Sequence, residues 1–432
     1  MRNARVWAVL LGVEKTVVEE IDLDEDRGVL VAHVRVARSA RGRCGVCRGR
    51  CPRYDAGEGR RRWRGLDLGL IRVFAEADAP RVRCSEHGIV VAHVPWARHG
   101  AGHTIDFDQT VAWLATVTSK TAVTELMRIA WRTVGSIIAR VWADVEATHD
   151  RLAGLRRIGI DEISYKRGHR YLTVVVDHDS GRLVWAAPGR DKATLRGFFD
   201  LLGADRCAQI THVSADAADW IAEVVTERCP NAEQCADPFH VVKWATHALD
   251  EVRRQAWQQA RTQARATEAP RGRGRPRTDA PPRPASQRAR RLKNTRWALW
   301  KNPDNLSTAQ RAKLAWIATA EPRLHRAYLL KEGLRLVFQL PHDEAADALD
   351  RWIRWARRCQ IPAFVELQKR IVKHRTTILA AIEHQLSNGR IESVNTKIRL
   401  ITRVAFGFQS AQALIALAML SLAGHRPALP GR

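Results

Sequence analysis

The feature that most constrains this chain is a succession of short apolar runs between residues 156 and 237, each closed by an acid or a turn. Residues 156–163 read as an apolar strand ending at Asp161. Residues 171–177 give a second strand, Asp179-Ser-Gly181 a turn, and residues 183–187 a third strand. Leu195, Phe198, Phe199 and Leu202 then recur at helical spacing. A fourth strand over 208–214 ends near Asp216, a helix carries Trp220, Ile221, Val224 and Val225, and a brief fifth strand leads to Asp237.

This order, β-β-β-α-β-α-β-α, predicts an α/β fold of the ribonuclease-H-like kind. There the first and fourth strands are neighbours, so Asp161 and Asp216 meet at one sheet edge. A third acid, Glu392, lies in Ser387-Asn-Gly-Arg-Ile-Glu-Ser-Val-Asn. Ser387-Asn-Gly caps a helix whose core stripe is Ile391, Val394, Ile398 and Ile401. Glu392, Asn395, Arg399 and Arg403 occupy a different face. By spacing alone Glu392 reads more readily as an ordinary exposed glutamate. Joined to the other two acids it would complete a carboxylate set able to hold divalent metals for phosphodiester chemistry.

Charge points to the partner. Lys and Arg number 71 against 46 Asp and Glu, a net +25, and the excess is clustered. Such a surface favours a polyanion, because each phosphate contact releases counterions. No segment reaches the roughly 18 uninterrupted apolar residues of a membrane span. Residues 411–423 are apolar but too short and read as a buried terminal helix. With no signal-cleavage pattern at the N-terminus, a cytoplasmic, nucleoid-associated location is expected. The eight Cys are then not a disulfide framework.

Cys44-Gly-Val-Cys47 and Cys84-Ser-Glu-His87 form two paired knuckles 36 residues apart. They supply four ligands for a closed, structural Zn²⁺ site, with Cys51 and His93 as competing ligands. A hairpin between the knuckles would make a small ribbon within residues 1–100. Residues 101–150 read as a helix-turn-helix. One face is Val123, Leu126, Met127 and Ala130, and the next is Val134, Ile137, Ile138 and Val141. A break at Trp131-Arg-Thr leaves Arg132, Thr133, Ser136 and Arg140 pointing outward towards DNA.

Residues 151–245 form the first part of the catalytic core, and 387–432 its final helices. Between them, 246–386 read as a Trp-rich α-helical insertion. Within it, residues 261–296 hold twelve basic residues against two acids and read as a disordered basic loop. Its Arg273-Gly-Arg-Pro276 matches the core of an AT-hook, which would lay Arg273 and Arg275 into a minor groove. Plain electrostatic tethering explains the same residues.

Over nearly its whole length the chain resembles the DDE transposases of bacterial insertion sequences, specifically the ISL-three (ISL3) family. Cys44/Cys47 and Cys84/His87 resemble that family's zinc finger, although its second pair is more often Cys-Cys. Gly159-Ile-Asp-Glu-Ile with the segment 166–177 resembles its first catalytic block. Val213-Ser-Ala-Asp and Ala236-Asp-Pro-Phe-His resemble its second, and Asn388-Gly-Arg-Ile-Glu-Ser-Val-Asn followed by Phe406-Gly-Phe its last.

The resemblance implies that Asp161, Asp216 and Glu392 bind two Mg²⁺ (or Mn²⁺), with Asp237, His240, Asn395, Lys397 and Arg399 beside the site. It implies binding of terminal inverted repeats, cleavage at the element ends and joining of the 3′-hydroxyls to target DNA. It also implies a homo-oligomer holding both ends. The charge, zinc module and helix-turn-helix serve equally a non-catalytic, sequence-specific DNA-binding regulator derived from a transposase. The intact acid trio separates the two.

Overall fold

The computed structural model describes residues 2–268 and 283–431. The chain divides into two compact units, Met1–Arg151 with Ile398–Arg432, and Leu152–Lys397.

The first unit opens with helix α1 (Arg2–Leu10) and a four-stranded sheet that the sequence reading did not anticipate. Its strands are β1 (Thr16–Asp24), β2 (Val29–Val36), β4 (Arg60–Arg64) and β5 (Arg72–Asp78), in the order β1-β2-β5-β4. The β1–β2 hairpin turns through Gly28, whose φ of +59° costs a glycine little. Strand β5 alternates strictly, burying Val73, Ala75 and Ala77 on one face. That face joins Val18, Leu30, Ala32, Val34, Trp63 and Trp96, the two indoles meeting edge to face with centroids 5.6 Å apart. A separate three-stranded sheet, β3 (Arg53–Asp55), β6 (Arg81–Cys84) and β7 (Gly88–Val91), carries the knuckles.

Three helices follow: α2 (Ile105–Val117), α3 (Lys120–Met127) and α4 (Trp131–Thr148). Thr104 and Ser119 cap α2 and α3, accepting hydrogen bonds from the amides of Phe107 and Ala122. The break between α3 and α4 falls at Arg128–Ala130, before Trp131 rather than through it. Arg128 adopts a left-handed conformation (φ +53°) that ends α3.

The second unit is built on a five-stranded sheet of order β10-β9-β8-β11-β12. These strands are β8 (Arg157–Lys166), β9 (Arg170–Asp177), β10 (Leu183–Pro188), β11 (His212–Ala215) and β12 (Glu233–Ala236). The first three form an antiparallel meander, and β11 and β12 add parallel to β8. The expected neighbours, first and fourth, are thus paired. The fourth strand starts later than expected, at His212, because the amides of Ala208, Gln209 and Ile210 bond back to the short helix α6 (Ala204–Cys207) in a turn. Strand β8 runs five residues past Asp161, since Glu162, Ile163 and Ser164 still pair with β9. Helices α5 (Lys192–Leu202) and α7 (Asp219–Arg228) bury Leu195, Phe198, Phe199, Ile221, Val224 and Val225 in the same core as Ile158, Ile160 and Val213.

From β12 the chain enters α8 (Pro238–Thr267), opened by Asp237 as cap and Pro238 in the first turn. Then come α9 (Pro284–Lys293), α10 (Arg296–Trp300), α11 (Thr308–Ala320), α12 (Pro322–Val337), α13 (His342–Arg358), α14 (Pro362–Lys373) and α15 (Arg375–Glu383). Their common core includes Val241, Leu249, Leu292, Leu330, Leu349, Trp352, Phe364 and Ile371.

The basic stretch 261–296 is therefore helical over 261–267 and 284–293, not a loop there. Ala260, Ala264, Ala289 and Leu292 form buried stripes that lower-order charge counting hides. Arg273 and Arg275 lie outside the described residues.

Helix α16 (Gly389–Val404) and helix α17 (Ala411–Leu422) complete the chain. Leu417 and Leu420 of α17 pack with Phe107, Val111, Ile137 and Val141 of α2 and α4. The terminal helix is buried as expected, but it completes the helical core of the first unit rather than packing on the five-stranded sheet. Among the described residues no helix is long and apolar enough to cross a membrane.

Candidate active site

Sheet register assembles the acids. Ile160 of β8 pairs with Ala215 of β11, and Ala215 pairs with Ala236 of β12. The next residue on each strand path is Asp161, Asp216 or Asp237. Three acids therefore stand at equivalent positions across adjacent strands, which lie about 4.8 Å apart. The neighbouring Glu162 is directed elsewhere, to an ion pair with Arg190 at 2.5 Å.

Asp237 is almost wholly buried, and both its oxygens are committed. Oδ1 accepts from the amides of Phe239 (3.4 Å) and Asn388 (3.1 Å), and Oδ2 from the amide (3.3 Å) and Nδ1 (2.7 Å) of His240. His240 also pairs with Asp216, so one imidazole bridges two acids. Burial disfavours its charge, but the hydrogen bonds and charges of Asp216 and Asp237 outweigh that and carry it up to about 10.

Asp161 accepts at Oδ1 from the Glu162 amide (2.7 Å) and at Oδ2 from Asn395 Nδ2 (2.7 Å). Burial pushes its carboxyl up to about 6. The Glu162 amide opposes the rise, and the like charge of Asp216 adds to it.

Helix α16 is fastened to the sheet from below its first turn. His178 Nε2 lies 2.6 Å from Ser214 Oγ, and that hydroxyl donates to Asn388 Oδ1 at 2.6 Å. Ser214 has a single hydrogen, so His178 must donate through Nε2. Burial holds His178 down to about 4, neutral and competent to do so. Arg390 donates to the carbonyl oxygens of His178 and Asp179. A Cβ on Gly159 would stand 2.1 Å from Ile391 Cδ1, so glycine at this point of β8 lets the Ile391 side chain pack against the strand as it does.

Asn388 thus stands at the expected cap, but its side chain is spent on Ser214, and its backbone oxygen receives the Glu392 amide at 2.8 Å. Glu392 lies in the first turn of α16, three residues before Asn395 and on the adjoining helical surface. Its side chain is exposed, and it is outside the tight group of Asp216, Asp237 and His240, whose ligand atoms lie within 4.8 Å of one another. Lys397 and Arg399 are exposed further along the helix. Sequence reading placed Asp237 and His240 beside the site. The structure puts His240 in direct contact with Asp216 and joins Asp237 to it through that imidazole. The supporting roles of Ser214 and His178 have no sequence signal, because a polar chain across the fold leaves no periodicity.

The knuckles converge as expected. Cys44, Cys47, Cys84 and His87 bring their ligand atoms within 4.8 Å of one another. Cys47 and Cys84 sulfurs are 3.7 Å apart, and His87 Nδ1 lies 3.6 Å from Cys84 Sγ and 3.9 Å from Cys44 Sγ. Tetrahedral thiolates at 2.3 Å from zinc would be about 3.8 Å apart, so the group fits the ion. Cys51 and His93 are not in this group among the described residues; the Cys51 thiol turns to the Gly49 carbonyl at 3.5 Å.

Of the four α4 residues expected to face DNA, Arg132 and Ser136 are exposed and Thr133 is half-buried. Arg140 is a correction: its Nε lies 3.2 Å from Oδ2 of fully buried Asp108. Burial drives Asp108 up to about 6, with Arg140 and Arg98 opposing, so Arg140 serves the interior.

Comparison with known proteins agrees with these three regions. Residues 158–418 match a family described as "Transposase", the DDE domain of ISL3 elements. Residues 92–142 match "Helix-turn-helix domain of transposase family ISL3", and residues 40–87 match "zinc-finger of transposase IS204/IS1001/IS1096/IS1165". The chain is 67% identical, over all of its length and 98% of the relative, to "Transposase for insertion sequence element IS1557" of Mycobacterium tuberculosis. It is 28% identical, over 95% of its length and 96% of the relative, to "Transposase for insertion sequence element IS1001" of Bordetella parapertussis.

Proposed function

We propose, starting from the fact that this chain belongs to the ISL3 family of DDE transposases, that Asp161, Asp216 and Glu392 are its catalytic acids. The observation that carries this reading is the placement of Asp161 and Asp216 in strand register, with α16 fastened beside them through Asn395 and Asn388. Transposases of this family cleave DNA at the ends of an insertion sequence and join them to a target. Hard carboxylate oxygens suit Mg²⁺ or Mn²⁺, which would stabilise charge on the attacking and leaving oxygens of in-line phosphoryl displacement.

The chain's own residues do the rest. Asn395 holds Asp161 in one rotamer. His240 offsets the repulsion of Asp216 and Asp237 and keeps Asp216 aimed from the strand end. Lys397 is exposed and free to neutralise a phosphate. We read the five-stranded sheet as a ribonuclease-H-like core and α8–α15 as a helical insertion after its fifth strand. The strand order β10-β9-β8-β11-β12 supports this.

Cys44, Cys47, Cys84 and His87 would hold a structural Zn²⁺. Arg132, Thr133 and Ser136, at the start of the second helix of the helix-turn-helix, would read the terminal inverted repeats. Holding two ends at once calls for a homo-oligomer, acting on chromosomal DNA in the bacterial cytoplasm.

The test is mobilisation in cells of a marker flanked by the element's own ends. Wild type mobilises it and Asp161→Ala does not, while footprinting shows both proteins on the ends. Equal mobilisation by both would remove Asp161 from the chemistry.

A further inference from the structure

At the other end of strands β11 and β12 the structure gathers His212, Glu233 and His384, whose ligand atoms all lie within 4.8 Å of one another. His212 and Glu233 are the first residues of the two strands and are direct register partners. His384 ends α15. Its Nε2 lies 2.8 Å from Glu233 Oε2, and its ring meets that of His212 at 4.1 Å between centroids.

We infer that these residues form a second metal site, for a divalent ion of the borderline class such as Zn²⁺. Two imidazoles and one carboxylate are a donor set for such ions, completed by water at an open position. Around zinc these donors would be about 3.3 Å apart; here they already lie within 4.8 Å of one another. Thr211 Oγ1 lies 2.9 Å from His212 Nδ1, a partner of the kind that orients a ligating imidazole and leaves Nε2 for the metal. The cation nearest by register, Arg157, is paired with Asp179 at 2.8 Å and does not occupy the cluster.

The position gives the site its consequence. His212, Glu233 and His384 each stand four residues before a group of the catalytic region: Asp216, Asp237 and Asn388. An ion here would tie together the bases of three segments whose other ends form that region. On the two strands the separation is about 13 Å, so this ion is distinct from any held by Asp161 and Asp216. Its effect is to restrain the connection between α15 and α16, and so the helix that bears Glu392.

The test is equilibrium dialysis of the metal-stripped full-length protein against micromolar Zn²⁺, with Co²⁺ spectroscopy and hydrogen exchange. With excess Mg²⁺ present to fill the carboxylate site of the proposed function, wild type binds two equivalents of Zn²⁺. One Co²⁺ gives intense thiolate charge-transfer bands from the knuckles, and the second gives weak bands without thiolate character. His212→Gln/His384→Gln loses the second equivalent alone, and Glu233→Gln weakens it with minimal change in shape. Added Zn²⁺ slows exchange in the 384–388 segment of wild type only. A single equivalent in wild type, or a second equivalent that survives in both variants, overturns the proposal. Retained thiolate bands and an unchanged circular dichroism spectrum identify variants that are folded.

Discussion

Asn395 Nδ2 donates a 2.7 Å hydrogen bond to Asp161 Oδ2 across 234 positions of sequence. One bond thus ties the helix that carries Glu392 to the strand that carries the first acid. Asn395 is 1% exposed, so water does not replace the bond when it is lost. Asn395→Ala is expected to lower metal-dependent end cleavage by about 10–100-fold, as loss of a ligand's supporting partner does. End binding by the helix-turn-helix stays intact. Cleavage kinetics against Mg²⁺ concentration check this, with the loss appearing as a raised metal requirement.

The pH dependence follows from Asp161. Its folded pKa of about 6 lies above the roughly 3.9 of an unfolded Asp. The stability it contributes is present below the unfolded value and lost as pH rises through about 6. At neutral pH the metal-free protein therefore bears a buried charge at a cost, and Asp161→Asn should raise its melting temperature. The same variant should abolish both cleavage and any melting shift on adding Mg²⁺. In wild type, metal-supported cleavage should fall off as pH drops below about 6. Thermal scans and rates over pH 5–8 measure both effects.

His240 has the opposite sign. Its pKa, raised to about 10, means that its contribution is fully present below about 6.5 and lost as pH passes about 10. His240→Ala leaves Asp237 buried beside Asp216 with no cation between them. A loss of roughly 1–3 kcal/mol is expected at pH 7, measured by urea unfolding and largely absent near pH 10.

Arg132 and Arg140 should separate cleanly. Arg132→Ala, on the exposed start of α4, should weaken end binding and lower the salt slope by about 1 without changing stability. Arg140→Ala removes one partner of buried Asp108. Because Arg98 remains at 3.2 Å, the loss of stability should stay below the roughly 3–5 kcal/mol of an orphaned buried charge. Melting curves and salt-dependent binding isotherms distinguish the two.

Cys44→Ser should reduce the zinc content of the knuckle site and selective end binding, while non-specific DNA binding persists. Unchanged zinc stoichiometry would refute this ligand set.

The features legible in the sequence are those with a local signature. Strands β8 to β10 announce themselves by apolar runs, and the knuckles by paired spacing. Asp161 and Asp216 stand out because each follows such a run. Legibility fails where the determinant is a contact across the fold. The interior role of Arg140 depends on Asp108 from another helix. Gly159 lies under the Ile391 side chain, and the Ser214–Asn388 bond spans 174 positions. Charge composition also misleads over 261–267 and 284–293, where exposed Arg on helices with a thin buried stripe reads like a loop. Apolarity marks the terminal helix as buried but does not say which core it enters.

The most direct test of the central claim is end cleavage in Mg²⁺ by Glu392→Gln, with binding to the same DNA measured in parallel. Glu392 is the exposed acid whose role rests on the fastening of α16. The expected result is wild-type end binding with cleavage reduced to background. Cleavage at the wild-type rate would contradict it and leave Glu392 an ordinary surface glutamate.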